Sequence, residues 1–280
     1  DSFGVSTVKS ACEGQVSRFT PGAAWRPLAA RLKDMPLRPD FFKYDRAIAV
    51  EFEMFGQTPK GNCICDYLNS VLPVWTRAKS DRSIRPSADC QPVEVAALFV
   101  RREMEVRLHR LCRQLEQLGM RVNKSCGLHV HFDMRGRTID EVFAIAKRTD
   151  KWLSALRYLV PQSRRENSYC QFGVVTKRTY ERQMSDSRYR AVNVCSFSRH
   201  KTLEIRLHSG TVDYTKVLSW IRLCELVMSM PSNPKSQDTL AALNSLPMPE
   251  HDRAYWRSRH QALNPHLYAT PVDAGSAEQE

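Results

Sequence analysis

Apolar and polar residues alternate strictly along three stretches of the chain. In residues 125–133, Leu128, Val130 and Phe132 alternate with His129, His131 and Asp133. Successive side chains of a strand point to opposite faces, so this spacing predicts a half-buried strand with two imidazoles and a carboxylate in a row on its polar face. Such a row is close enough to share a metal ion or an anionic ligand. Residues 48–55 repeat the pattern: Ile48, Val50, Phe52 and Met54 take one face and leave Glu51 and Glu53 side by side on the other. Two acids at this spacing repel unless a cation joins them. In residues 202–208, Leu203, Ile205 and Leu207 oppose Glu204, Arg206 and His208. Alternating charges are also the ordinary solvent face of an antiparallel sheet, so each stretch alone has a bland explanation. Together, with acids and histidines dominating, the three look like the floor of a metal-dependent site.

The remaining elements follow from the same reading. Met104, Leu108, Leu111, Leu115 and Leu118 recur at steps of three and four and predict an amphipathic helix over 95–118, stopped by Gly119. Its other face carries Arg101, Arg102, Arg107, Arg110 and Arg113 beside Glu103 and Glu105. No aromatic residues interleave those arginines, so the face reads as solvated helix surface rather than a nucleic-acid stripe. Thr138 and Glu141 form a capping-box signature that opens a helix to about Val160, where Pro161 ends it. A short helix over 65–72, a strand over 74–79 and a polar turn over 81–86 are expected, and Glu94 places another acid between Val93 and Val95. Residues 162–189 are polar and basic and read as a long loop over the sheet, of the kind that closes over a substrate. A hairpin near Arg199 and His200 leads into the third strand, and a helix over 211–230 turns Val217, Ile221, Cys224 and Met228 inward. Residues 1–46 read as a proline-broken lead-in, in which one short helix over 26–35 is expected. Prolines also punctuate the chain beyond Pro231, and the tail from about Ala274 is expected to be disordered.

Composition narrows the class. At 280 residues and 42% hydrophobic, the chain is an ordinary globular protein long enough to bury a sizeable core. Its net charge of +12 favours anionic partners: nucleotides, acidic substrates, nucleic acid or an anionic surface. Nine cysteines without a framework pattern suggest reduced thiols and a cytoplasmic setting. The apolar run over 217–230 is too short and is interrupted by Arg222 and Glu225, so no membrane span is expected. The chain opens at Asp1 without an apolar leader, which suggests a processed product.

Several short motifs carry a resemblance: Val50-Glu51-Phe52-Glu53, Asp81-Arg82-Ser83, Val93-Glu94-Val95, Gly127-Leu128-His129-Val130-His131, Arg165 with Asn167, Tyr169 and Cys170, Arg190-Ala191-Val192-Asn193, and Leu203-Glu204-Ile205-Arg206-Leu207 with Gly210-Thr211. Their types and order over about residues 47–230 resemble the amidoligase family, in the carboxylate-amine ligase superfamily with glutamine synthetase and glutamate-cysteine ligase. One departure is that Val95-Ala96-Ala97 follows Glu94 where the family carries a Ser-Pro pair.

The resemblance implies an α+β fold of the glutamine synthetase type. Its curved, mostly antiparallel sheet would carry the site on the concave face and helices on the convex face. A lead-in (1–46), a catalytic domain (47–230) and a C-terminal extension (231–280) are expected. The implied activity is ATP-dependent amide formation through an acyl phosphate, with Mg²⁺ or Mn²⁺ held by Glu51, Glu53, Glu94, His129 and Glu204. By the same resemblance, Arg206, His131, Arg190 and Asp81 would serve catalysis, and Arg165, Asn193 and Arg190 would contact the nucleotide. The substrates would be a carboxylate and an amine, a peptide or protein among the candidates. A metal-dependent hydrolase using His129 and His131 is the main alternative, followed by a degenerate ligase that only binds nucleotide, or a nucleic-acid-binding module. An acid-rich, histidine-poor donor set suits Mg²⁺ better than the zinc of hydrolases, and clustered carboxylates have no use in a nucleic-acid module.

Overall fold

The computed structural model describes residues 46–59, 62–182 and 185–268. The expected helix over 26–35 and the tail after Ala274 lie outside them. The three alternating stretches are strands β1 (Ala47–Gly56), β4 (Gly127–Asp133) and β6 (Thr202–Ser209), joined by β2 (Thr76–Lys79), β3 (Gln91–Val100) and β5 (Val192–Asn193). All pairings are antiparallel, in the order β2-β3-β1-β4-β6-β5, and the sheet is open. The fold class is thus α+β, as expected.

Strand β3 corrects one expectation. Residues 95–100 are strand, and the helix α2 (Met104–Gln117) begins only where the three-and-four spacing itself begins. Val93, Val95, Ala97 and Phe99 alternate into the core while the backbone pairs with β1 on one side and β2 on the other. Burial between two neighbours decides for strand, whatever the helical pattern beyond it.

The helices follow their local signals. The helix α1 (Ile64–Val71) fits the expected short helix, and α3 (Ile139–Ala155) starts at the capping box, where Thr138 N donates to Glu141 Oε2 at 2.7 Å. It ends sooner than expected, and a 3₁₀ turn at Arg157–Leu159 covers the rest. The stretch expected as one long loop holds α4 (Gln162–Arg165) and α5 (Lys177–Glu181). The hairpin expected near Arg199 is present, since β5 and β6 pair antiparallel, and its connection holds α6 (Ser196–His200), which turns into β6 through Lys201, whose φ is +56°. The helix α7 (Tyr214–Ser229) is capped by Asp213, whose Oδ1 accepts from Lys216 N at 3.0 Å. Two helices beyond the expected set follow, α8 (Thr239–Ser245) and α9 (Glu250–Leu263).

One hydrophobic cluster runs from the apolar face of the strands through α2, α3 and α7 to Trp256 of α9. The opposite polar face of the sheet is left to the site. Seven described cysteines are free thiols, but Cys63 is disulfide-bonded, a cross-link that spacing along the chain does not reveal. Among the described residues, no helix is long and apolar enough to cross a membrane.

The β4–β6 ladder carries one irregularity that shapes the site. Leu128 pairs with His208 but Val130 pairs with Ile205, so Arg206 and Leu207 together oppose His129. This is a β-bulge, which reverses the in-out phase of the bulged strand beyond it. His208 therefore does not share the polar face with Glu204, as strict alternation would have it. Instead its ring packs against Trp220 of α7 at 5.0 Å and is fully buried.

Candidate metal centre

Strand register brings the acids and histidines together. Glu53 pairs with Glu94 across β1 and β3, Glu51 with His129 across β1 and β4, and Glu204 with both His131 and Asn193. Two groups of donors result, Glu51/His129/Glu204 and Glu53/Asp81/Glu94, each with its ligand atoms within 4.8 Å of one another. His129 lies between them: its Nδ1 is 3.2 Å from Glu51 and 3.6 Å from Glu204, and its Nε2 is 3.3 Å from Glu53. Asp81 arrives from the loop after β2, its Oδ1 fixed by accepting from Ser83 N at 2.8 Å and Ser83 Oγ at 2.7 Å.

Neighbours hold these carboxylates in place. Arg206 Nη1 donates to Glu204 Oε1 at 2.5 Å, and Asn193 Nδ2 donates to the other oxygen at 2.7 Å. Lys79 pairs with Glu94 at 2.6 Å. Gly127 N donates to Glu53 Oε2 at 2.5 Å, and a Cβ on Gly127 would meet His129 Nε2 at 2.9 Å and Glu53 Oε2 at 3.1 Å. Only glycine lets the backbone approach so closely.

The charge balance is uneven across the centre. Burial pushes Glu204 up, but Arg206, His131 and His129 outweigh it and bring its carboxyl down to about 2. Glu51 is likewise lowered, its burial overcome by His131 and by hydrogen bonds from both histidines. Glu94 goes the other way: burial and then the charge of Glu51 raise it well above the usual carboxylate range, and Lys79 offsets only part. Burial and the neighbouring Glu51 charge therefore disfavour a bare carboxylate at Glu94, and Lys79 relieves this only in part.

The expected site residues divide. Glu51, Glu53, Glu94, His129, Glu204, Asp81, His131, Asn193 and Arg206 meet around one cavity of about 640 Å³. Arg165 and Arg190 do not line it. Arg165 lies over the Tyr158 ring at 4.6 Å and donates to Asn264 at 3.1 Å, and Arg190 reaches Gln171 at 3.4 Å. The neighbour of Arg165 on α4 takes the inward position instead: Arg164 is buried, and its Nη2 donates to the Arg206 carbonyl at 2.6 Å. An arginine pair within a polar stretch gives no sign of which member faces inward. Lys79, Arg188 and Arg199 also line the large cavity and were not singled out by the sequence pattern. Lys79 was discoverable as the cation ending a strand beside Asp81. Asp133, expected in the histidine row, pairs with Arg135 at 2.5 Å and belongs to neither donor group.

A second cavity of about 600 Å³ opens from the same centre and shares Glu53, Ser83, His129, Tyr169 and Arg206 with the first. Two chambers therefore meet at the carboxylate cluster.

No curated protein and no solved structure matches the chain. A family profile described as "putative amidoligase enzyme" matches residues 74–183 and 174–228, more than half of the sequence. The matched stretch contains both histidines, Glu94, Asp81 and the Glu204–Arg206 pair, and on this ground the chain belongs to the amidoligase family.

Proposed function

We propose that this protein is an ATP-dependent carboxylate-amine ligase. It transfers a phosphoryl group from ATP to a carboxylate, and an amine then displaces phosphate from the acyl phosphate to form an amide. The observation that carries this reading is the pair of three-donor groups on adjacent strands where two chambers meet.

The donor set fits hard divalent cations. Five carboxylates and one imidazole suit Mg²⁺ or Mn²⁺, and a bound cation would favour the ionised form of Glu94, which burial and Glu51 disfavour. Glu51, His129 and Glu204 would hold one ion, and Glu53, Asp81 and Glu94 another. When bound, such ions neutralise the facing charges of nucleotide and carboxylate and polarise phosphoryl oxygens. A zinc hydrolase is less well supported, since only one imidazole enters these groups.

The chain's own cations do the rest. Arg206, raised above the usual guanidinium range by Glu204 despite its burial, stays charged at any working pH and can fork two donors onto a transferring phosphoryl group. Lys79, Arg188 and Arg199, with Tyr180 and Tyr189, make the larger chamber the better nucleotide site. His131 is raised, its burial outweighed by Glu51 and Glu204, and so adds positive charge at the chamber floor. The smaller chamber would then take the acid.

The test is ADP and phosphate release from ATP with Mg²⁺ or Mn²⁺ across a panel of carboxylates and amines. Substrate-stimulated release is expected, with a loss of at least about a hundredfold in Glu204→Gln, assayed below that variant's own thermal midpoint and with its fold checked by circular dichroism. Wild-type turnover in that variant would overturn the assignment.

A further inference from the structure

The bulge in β6 does more than turn His208 inward. At the C-terminal end of β6 the ladder pairs Leu128 with His208 and Gly127 with Ser209. Residues directly opposite in an antiparallel pair share a face. Continued without interruption, that register would set Arg206 opposite Val130 and Glu204 opposite Phe132, two core residues. The extra residue shifts the register by one, so that Ile205 meets Val130 and Glu204 meets His131. Glu204 and Arg206 therefore belong to the metal centre only while the bulge is in place.

What holds the bulge lies on the outer edge of β6. The edge strand β5 covers only Glu204 and Ile205, and Arg206 N donates to the Ala191 carbonyl at 2.9 Å. Beyond that point Arg164 of α4 takes the place of a strand. Its Nη2 donates to the Arg206 carbonyl at 2.6 Å, and its Nε donates to the Leu207 carbonyl at 3.4 Å. Successive carbonyls of a regular strand point to opposite edges, and the two-for-one geometry of a bulge is what brings these two to one guanidinium. Arg164 is 3% exposed, and Cys170 Sγ donates to its carbonyl at 3.3 Å, which fixes its backbone. A planar fork of N–H groups suits two neighbouring oxygens, whereas a lysine ammonium is a point charge on a flexible stem. We propose that Arg164 is a positioning residue: it locks the bulge and so holds Glu204 and Arg206 on the face that carries the centre. This inference rests on the metal-centre reading above and adds a residue that belongs to neither donor group.

Two readouts on the full chain test it. One is Mn²⁺ titration followed by electron paramagnetic resonance, and the other is amide hydrogen exchange of the metal-free protein read by peptide mass spectrometry. The wild type is expected to bind an ion at each donor group. Arg164→Lys keeps the charge and loses the fork. In it the ion held by Glu51, His129 and Glu204 should bind about tenfold to a hundredfold more weakly, while the ion at Glu53, Asp81 and Glu94 is retained. Exchange should quicken by about tenfold or more in peptides over 202–207 and stay unchanged in β1 and β3. Arg164→Ala should behave likewise. Millimolar guanidinium, admitted through the chamber that Arg164 lines, should restore its Mn²⁺ affinity where methylammonium does not.

Exchange in Arg164→Lys identical to the wild type overturns the proposal, whatever happens to Mn²⁺. Loss of both ions with faster exchange throughout the chain overturns it as well, because Arg164 would then serve the fold at large. If the wild type binds no Mn²⁺, the metal reading fails and exchange alone decides: a change confined to 202–207 upholds the lock on the bulge, and any other pattern overturns it.

Discussion

At the scale of single residues, the centre depends on side chains that are defined by what they touch. Gly127 has no side chain, yet its position carries three neighbours within 3.2 Å of where a Cβ would be, the third being Arg164 Nη2. Gly127→Ala should leave the fold in place, by circular dichroism, while lowering turnover by about tenfold to a hundredfold through displacement of Glu53 and His129. His208 makes a different prediction. Its Nδ1 faces the Ser209 carbonyl at 2.7 Å, and its Nε2 faces Arg259 of α9 at 3.5 Å. Burial first, and then Arg259, bring its folded pKa down to about 3. Between that value and an unfolded pKa of about 6.5, the unfolded chain binds a proton that the native state refuses, so stability rises with pH across the window. Unfolding in urea should show a contribution from His208 on the order of 2 kcal/mol lost from pH 7 to pH 5, read as the difference between the wild type and His208→Leu, because His200, brought down to about 4 chiefly by burial, titrates across the same window. The carboxylates Glu51 and Glu204 act at lower pH, so they do not mask it.

At the scale of elements, the sequence was legible wherever side-chain period and burial agree. Strict alternation found β1, β4 and β6 and with them Glu51, Glu53, His129, His131 and Glu204. It misplaced His208, because a bulge changes the phase of a strand without changing its composition. It also missed β3 as a full strand, since Val95 to Val100 reads as readily into the helix that follows. Arg164 and Arg165 show the same limit: both lie on a four-residue helix, and packing alone decides which one turns inward. The helical side of the fold has its own dependence on charge. Arg101, just before α2, grips Glu225 of α7 with Nε at 2.7 Å and Nη2 at 3.1 Å. Arg101→Leu should cost about 2–3 kcal/mol in denaturant unfolding, because it strands a mostly buried carboxylate. Adding Glu225→Leu should restore much of that loss.

At the scale of the whole molecule, the stretch after Pro231 is structural. Trp256 is 1% exposed and meets the equally buried Trp220 edge-on at 6.3 Å. Asn264, fully buried, donates to the Tyr158 carbonyl at 2.9 Å and accepts from Arg165. These contacts tie α9 to the segment that delivers Arg164 to the centre. Trp256→Ala should lower stability by about 3–5 kcal/mol and, through α4, weaken activity below the unfolding midpoint. A midpoint unchanged within error would show that α9 is an appendage. None of this was legible in the sequence, where the prolines around residues 231–249 suggest only interruption.

The central strand has one further consequence. Glu51 and Glu53 are neighbours on one face of β1, yet each belongs to a different donor group. Their separation is two steps of extended backbone, about 7 Å. That length belongs to the peptide repeat rather than to any rotamer, and ladders on both sides clamp it. Substitution can shorten a carboxylate's reach but cannot re-space the pair. A one-residue insertion or deletion between them turns one acid into the core. The pleat of β1 is the ruler of this site, and it admits no intermediate settings.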